Sequence, residues 1–549
     1  GYKTAELNIA TASAKDLKVE MEADEQQFGE VTVTAMANKN SDMAMMEMAR
    51  VSNQVVNNIS AQEIKRTQDN NASEVIRRIP GVSLIEDKFV MVRGLSQRYN
   101  NVWINGGAVP SSEADSRAFS FDILPSSQID NLVIVKSPCA EYPADFTGGF
   151  IQINTKDIPV RNTLSLSLGG NWNDATCFRN FKHANHSSSF PNDGNVGLLG
   201  SGLLNDWRVK TKTPIADIKA SADWSHKWHI NGMSVGMVGT LNYTSETRTY
   251  KDMQNNLFGV YDITNDRSNY LRNSTDNQYN DNKRLGALLN LALLSKSGNN
   301  KYELKNIFNR IDNNRYTDRS GVNAQSDNEI GAEYYYRSRT TTNTQLTGKH
   351  TLPHDLLEWD LSYSYANRRM PDRKHYTIDD ALEHGTMILT AGNEINREFT
   401  KLDEHIMSAN FNEKHDFKFG SFEPSLKLGG YGEYRSRKYK TRQFIYSWDM
   451  EENTLPADFR KMDMTELLSN SDYFGNDKLY LLEEQCMRNN YNGNNLLGAG
   501  YMAASLPFGK FNIYAGLRFE YNQMELITNL RDDIESHHSR YYRNRDLFP

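Results

Sequence analysis

Beyond Pro159 the chain repeats one pattern: a run of ten or more residues in which apolar and polar side chains alternate, then a link, then another run. Eleven runs are legible, at roughly 162–172, 217–226, 228–243, 283–295, 301–311, 334–349, 355–366, 399–411, 421–438, 495–506 and 510–525. The links alternate strictly in length. Those after odd-numbered runs are long, about 173–216, 244–282, 312–333, 367–398 and 439–494. Those after even-numbered runs are short, near His226-Lys227, Ser297 to Asn300, His350 to His354, Asn412 to Gly420 and Pro507 to Gly509. If the runs are antiparallel strands, every long link leaves from the same rim. A soluble sandwich has little reason to obey that rule, and five links of this length are out of place in a compact soluble domain. Barrels that cross a membrane obey it, and their strands are this long.

The faces support the same reading. Leu164, Leu166 and Leu168 share a face, as do Met233, Val235, Met237, Leu241 and Tyr243, and Leu285, Ala287, Leu289, Leu291 and Leu293. Leu357, Trp359, Leu361, Tyr363 and Tyr365 form another set, and Phe511, Ile513, Ala515, Leu517, Phe519 and Tyr521 another. A mean hydropathy of -0.68 is that of a polar chain, and without a run of 18 or more apolar residues no membrane helix is expected. They do not exclude a barrel, whose strands are half polar and whose loops are polar. The formal charge is -7 and there is no basic tract, which argues against nucleic acid. Cys139, Cys177 and Cys486 lie far apart and give neither a disulfide framework nor a metal spacing.

The stretch before the strands has a different character. Glu20 to Gln27 is acidic and polar and reads as a linker. Glu30 to Ala35 is a short β-prone segment, readable either as an edge strand offered to a partner's sheet or as the first strand of the next domain. Ser60 followed by Glu63 has the capping-box spacing and opens a helix. A second helix spans about Ala72 to Ile79, capped by Asn70 or Asn71 and ended by Pro80-Gly81. Strands are expected at Val82 to Ile85, Phe89 to Arg93, Val102 to Ile104 with a turn at Asn105-Gly106, and Ile129 to Val135. Thr147-Gly-Gly149 permits close backbone passage before Phe150, Ile151 and Ile153.

These residues carry a family resemblance. Val31-Thr-Val-Thr-Ala35, Ile79-Pro-Gly-Val82, Val92-Arg-Gly94, Val102-Trp-Ile-Asn-Gly106, Ile129 to Val135 and Gly148-Gly-Phe-Ile-Gln-Ile-Asn-Thr-Lys156, in this order ahead of a strand series, resemble the signature segments of TonB-dependent outer-membrane receptors. Leu547-Phe-Pro549 also matches a segment of that family's extracellular loops. The resemblance implies an all-β transmembrane barrel of about 22 antiparallel strands, of which about eleven are present here, with an N-terminal mixed α/β plug domain inside the lumen. It divides the chain into the end of an N-terminal extension and linker (1–29), a TonB box (30–35), the plug (36–157) and the N-terminal half of the barrel (158–549), ending in an extracellular loop. The extension and the Asn-rich loops resemble Bacteroidota receptors, including SusC-like ones. Arg93 to Tyr99 and Ser111 to Asp122 resemble one plug subgroup.

The implied function is active import of a solute across the bacterial outer membrane. Glu30, Val31, Thr32, Val33 and Thr34 resemble the TonB box, which adds a strand to periplasmic TonB. TonB, ExbB and ExbD then supply the energy, since the chain offers no nucleotide or proton site. The N-terminus lies on the periplasmic side and the long loops are extracellular. A half barrel leaves two open edges, intolerable in lipid, so a second fragment or subunit supplies the remaining strands, or the chain is cut or incomplete. Lipid, lipopolysaccharide and a SusD-like surface lipoprotein are further implied partners. A passive porin, or a structural subunit of a larger outer-membrane assembly, is the alternative.

Candidate plug residues near substrate or barrel wall are Arg93, Arg98, Tyr99, Asn105, Glu113 and Arg117. Arg93 reads first as a buried ion-pair partner between plug and wall. Glu113-Ala-Asp115 lacks a full oxygen-ligand spacing for a cation. Trp172, Trp359, Tyr363 and Tyr334-Tyr-Tyr336 read as interfacial anchors. Tyr446, Trp448, Tyr473 and Tyr491, in the last long link, are placed for ligand contact. His183 with His186, and His226 with His229, lack further ligands, so no metal and no cofactor is expected. No nucleophile, base and orienting group can be assembled, and the chain does not read as an enzyme.

Overall fold

The computed structural model describes residues 41–549 apart from 115, 157–160, 187–189, 192–202, 204, 324–327, 380–394, 421, 448–462, 476–477, 485–488, 530–538 and 549. Residues 1–29, the Glu30 to Thr34 segment and Trp448 lie outside the described residues.

The first part is a small α/β module. Helix α1 (Asp42–Val51) is capped by Ser41, whose side chain accepts from the Ala44 amide. Strand β1 (Val56–Ser60) leads into α2 (Ala61–Thr67), and the Ser60 hydroxyl accepts from the Glu63 amide as the capping pattern requires. In α3 (Ala72–Ile76) the cap is Asn71, accepting from Ser73 and Glu74. Strands β2 (Val82–Ile85) and β3 (Phe89–Val92) form a hairpin. A five-stranded sheet in the order β1-β6-β7-β4-β5 contains β4 (Asn101–Ile104), β5 (Gly107–Ala108), β6 (Ile129–Val135) and β7 (Phe150–Thr155), with β4 and β7 parallel. All seven residues of β6 are buried.

The second part is one large antiparallel sheet. Its path begins at β8 (Thr163–Gly169). Two short paired strands follow, β9 (Phe181–Ala184) and β10 (Val209–Lys212), outside that sheet. The path then takes β11 (Ile218–Ile230), β12 (Met233–Asp262), β13 (Arg267–Leu294), β14 (Asn300–Asn323), β15 (Asn328–Thr351), β16 (Asp355–Asp379), β17 (Ile395–Asp416) and β18 (Ser425–Ser447). Helix α4 (Met464–Ser469) and β19 (Tyr480–Glu484), which pairs beside β18, precede β20 (Tyr491–Phe508), β21 (Phe511–Asn529) and β22 (Ser539–Phe548).

Three expectations are corrected. The first short turn is Asn231-Gly232, both at positive φ (51° and 81°), and β11 runs straight through His226-Lys227. His226 and His229 therefore sit within a strand, not around a turn. Much of the expected loop length is strand: β12 and β13 stay paired to Asp262 and Arg267, and β14 and β15 to Val322 and Asn328. These two links are thus tall hairpins that carry the wall beyond the apolar band. A further strand, β22, pairs with β21 inside the region read as loop.

One wall face carries exposed apolar residues near the short-turn rim, among them Leu241, Leu289, Phe308, Leu346, Leu361, Met407 and Leu517. A continuous apolar band along a ladder of membrane-length strands is what lipid covers. The opposite face holds the α/β module. Its core (Val75, Ile76, Leu132, Ile134, Ile151, Ile153) is continuous with the inward side chains Val238, Leu288, Ile307 and Ile311 of the wall. The seat is therefore partly apolar.

Candidate functional site

Direct polar contacts complete the seat. The Gln345 amide donates to the Asn105 carbonyl at 2.8 Å and the Ser364 hydroxyl to the Ala108 carbonyl at 2.9 Å. Asn290 reaches the Lys156 carbonyl at 2.6 Å, and Glu141 receives both Lys427 (2.6 Å) and Tyr514 (2.8 Å). Asn105 itself, at φ 55°, closes the expected Asn-Gly turn. Its side-chain oxygen accepts from the Thr155 amide and hydroxyl at 2.9 and 3.1 Å, which makes it a framework residue of the plug.

A cavity of about 430 Å³ opens where Ala114, Ser116, Arg117 and Phe119 of the plug face β17, β18, β20 and β21. Glu404, fully buried, is its anchor. One carboxylate oxygen accepts from the Ser111 amide at 2.6 Å and from Arg437 at 3.1 Å, and the other from Arg435 at 3.3 Å. Arg437 also donates to the carbonyls of Glu113 and, at 3.2 Å, Ala114. The Tyr491 hydroxyl donates to the Ala114 carbonyl and accepts from Arg437 Nε, both at 2.8 Å. Across the cavity Arg117 pairs with Asp145 at 2.8 Å, and the other Asp145 oxygen accepts from Asn101 at 2.8 Å. Two residues singled out from sequence, Arg117 and Tyr491, thus line one space.

A second cavity, about 490 Å³, lies between the β2–β3 turn of the plug and the inward faces of β13 to β17. Its position, on strands between the apolar band and the long-connection rim, matches that of the first. Here Glu113 and Asp122 of the plug meet the wall. Arg339, 2% exposed, donates to Asp122 Oδ1 at 3.2 Å and to its other oxygen, and lies 3.7 Å from Glu113. Arg368 binds Glu113 at 3.0 Å and Lys88 approaches it at 3.5 Å. Burial alone would raise the Asp122 pKa, but the Arg339 guanidinium outweighs it and holds the carboxyl below the ordinary range. Glu113 is consumed by these cations, and no group of metal-ligating side chains occurs among the described residues.

The other sequence candidates fall elsewhere. Arg93 is exposed at φ 56° and makes no ion pair among the described residues, so the buried-pair reading of it is corrected. Arg98 and Tyr99 are exposed and line neither cavity. The Arg98 guanidinium sits 5.4 Å from the Tyr99 ring, and the Tyr99 carbonyl accepts from Thr147 and Gly148. Tyr446 is buried in an aromatic core with Trp207, Tyr334, Tyr376 and Phe444, its hydroxyl 3.4 Å from Trp207 Nε1 and 3.1 Å from Asn205. Tyr473 packs against the same core. By strand alternation Tyr334, Tyr376, Phe444 and Tyr446 share the outward face of the apolar band, above it, where Trp207 and Tyr473 from loop segments pack on them instead of lipid. Tyr334 is therefore no membrane anchor, and Tyr336 stacks on His186 at 3.6 Å. Trp172 is exposed beyond β8, while Trp359 and Tyr363 flank Leu361 on the outward face of β16. Cys139 and Cys177 are free thiols.

Sequence reasoning missed Glu404, Arg339, Arg368, Arg435 and Arg437. The available signal was parity. Arg337 and Arg339, and Arg435 and Arg437, are spaced by two and lie opposite in phase to the apolar residues of their strands.

The family model for the TonB-dependent Receptor Plug Domain matches residues 49–150. Over 147 residues the chain is 29% identical to the vitamin B12 transporter BtuB of Photobacterium profundum, a stretch covering 24% of this chain and 24% of that protein. Among solved structures, the ferric-catecholate import receptor Fiu of E. coli K12 superposes with a TM-score of 0.50 at 12% identity, over 90% of this chain and 62% of that one. The chain thus spans less than two thirds of the length of that receptor, and at this identity the likeness is one of fold.

Proposed function

We propose that this chain, whose residues 49–150 are a TonB-dependent receptor plug, serves in TonB-dependent import of a solute across the bacterial outer membrane. The observation that carries the reading is the latch at Glu404. A buried wall carboxylate and Arg437 together hold plug backbone at Ser111, Glu113 and Ala114, beside a cavity on the long-connection side. A solute bound there touches both plug and wall, and so can change how firmly the plug is held. The same plug begins near Glu30 to Thr34, the segment that resembles a TonB box. Released on the periplasmic side, that segment adds a strand to TonB. TonB, ExbB and ExbD supply the energy, because no part of this site breaks a bond or moves a proton. Long hairpins then face outward, and lipid and lipopolysaccharide cover the apolar band. A surface lipoprotein over the rim fits the tall hairpins.

Deleting Glu30 to Thr34 tests the reading. The expected result is loss of energy-dependent uptake with the folded protein still present in the outer membrane. Unchanged uptake would instead identify a passive pore.

A further inference from the structure

The second cavity is unlike the first in charge. Arg284, Arg315, Arg337, Arg339, Arg368 and Arg373 line it from the wall, and Lys88 from the plug. Against them stand Glu86, Asp122 and Glu398 in the lining, with Glu113 and Glu333 just behind. The pairings use up all five carboxylates. Arg315 and Arg373 share Glu333 at 2.8 and 2.6 Å, and Arg373 also reaches Glu398 at 3.2 Å. Arg339 takes Asp122, Arg368 takes Glu113, and Lys88 takes Glu86 at 2.9 Å.

Two cations are left over. Among the described residues neither Arg284 nor Arg337 makes an ion pair or a hydrogen bond through its side chain. The Arg337 Nε is buried without an acceptor, and its guanidinium lies 5.7 Å from the Tyr335 ring, which Arg315 (4.7 Å) and Arg373 (5.9 Å) already share. Nε atoms of Arg315, Arg339 and Arg368 are likewise buried and unpaired. Unsatisfied guanidinium donors gathered in low-dielectric surroundings repel one another and are costly to desolvate. The arrangement is relieved by an acceptor that is itself anionic. Planar guanidinium forks match carboxylate and phosphate oxygens two at a time. A space of this size holds a small multivalent molecule.

We propose that this chamber binds a solute carrying two or more carboxylate or phosphate groups, with Arg284 and Arg337 as its first contacts. The proposal rests on the import reading and names the substrate class for it. The chamber opens on the plug side of the wall, away from the apolar band, so bilayer phosphates do not reach it. Arg339 and Arg368, which hold plug residues Asp122 and Glu113, face the same space. An anion in the chamber therefore competes with the plug's own carboxylates for wall arginines.

The test is calorimetric titration of the purified full chain, in neutral detergent at low salt, with citrate and with tripolyphosphate. Glucose and spermidine serve as uncharged and cationic controls. Saturable binding of one or both anions, and of neither control, is expected. Arg337→Gln and Arg284→Gln should each weaken it at least about tenfold, which corresponds to about 1.4 kcal/mol. Arg337→Lys, which keeps the charge but loses the fork, should retain only part of it. Neither arginine holds a carboxylate, so these changes strand no buried charge and leave folding intact. Lys349→Gln, which removes the same charge from the exposed pair with Glu358, should change nothing. Absence of saturable anion binding, or an equal loss with Lys349→Gln, overturns the proposal. The measurement needs no TonB. Failure here with box-dependent uptake intact would overturn only the anion assignment, and binding with box-independent uptake would overturn only the import reading.

Discussion

Trp103 of the plug lies against Tyr431 of the wall, ring centroids 5.0 Å apart and planes 23° from parallel. Trp103 presents its edge to Phe150 at 5.0 Å, so the wall ring extends the plug's own aromatic core. The Tyr431 hydroxyl donates to Glu433 at 2.6 Å, which fixes the ring. Truncating a buried aromatic of this kind costs about 3–5 kcal/mol. Tyr431→Ala should therefore lower stability by about that amount and speed hydrogen exchange in β4. Tyr431→Phe keeps the stack and loses one hydrogen bond, a cost of about 1–2 kcal/mol. Equal effects of the two variants would mean that the stack does not seat the plug.

The Asp122–Arg339 pair joins plug to wall under cover, and its loss strands a charge. Asp122→Asn leaves Arg339 buried without its full counter-charge and should cost about 3–5 kcal/mol. The pH dependence has a definite sign. The Asp122 pKa is depressed in the folded protein, so its stabilisation is complete above the ordinary carboxylate value of about 3.9 and is lost as pH falls toward the lower folded value. Thermal unfolding between pH 7 and pH 3 should show an acid-limb decline that is shallower in Asp122→Asn. Parallel acid limbs would show that this pair contributes no such term.

Much of this was legible because the local chemistry is strong. The caps at Ser60 and Asn71 and the turn at Asn105-Gly106 stand where their residue types demand. The alternation was read well only where one face meets lipid. Beyond the apolar band, at Thr247 to Tyr250 or Asn273 to Gln278, polar residues occupy both faces and backbone pairing alone carries the strand, so the ladder looked like loop. In β11, His226 between Trp224 and Trp228 breaks the contrast between faces, and Asn231-Gly232, not His226-Lys227, makes the turn. Tyr334 has the phase of a lipid-facing residue, and only a contact with Trp207, 127 residues away, removes it from lipid. The charge network of the cavities depends on which strands are neighbours. Pairs such as Arg339 with Asp122, 217 residues apart, have no local signature.

Cys139 offers a chemical reading of plug seating. Burial, then the charge of Glu141, pushes its thiol pKa up to about 11. At pH 8 the thiolate fraction is then about 0.001, against about a quarter for an ordinary thiol near pKa 8.5. Alkylation by iodoacetamide should be about two hundred-fold slower in the folded protein than after denaturation, as followed by mass spectrometry of the Cys139 peptide. Glu141 is held by Lys427 and Tyr514 of the wall, so loosening the plug should accelerate labelling before global unfolding. A folded-state rate equal to the denatured one would contradict this environment.

Gly107 brings plug backbone close against the wall. A Cβ at this position would lie 2.3 Å from the Ser362 hydroxyl oxygen and 2.7 Å from the Ser362 Cβ, so the wall residue itself must move. Gly107→Ala should cost about 1–3 kcal/mol by overpacking. Ser362→Gly removes the obstructing atoms and loses the Asn343 hydrogen bond at 3.1 Å, a cost of about 1 kcal/mol. If the clash is the cause, the double variant should be more stable than the sum of the two single losses by about 1 kcal/mol or more, measured from denaturant midpoints in detergent. Additivity within about 0.5 kcal/mol would place the strain of Gly107→Ala elsewhere in the plug. The coupling follows from one geometric fact: the plug strand β5 and the wall strand β16 meet with room for a hydrogen atom and no more.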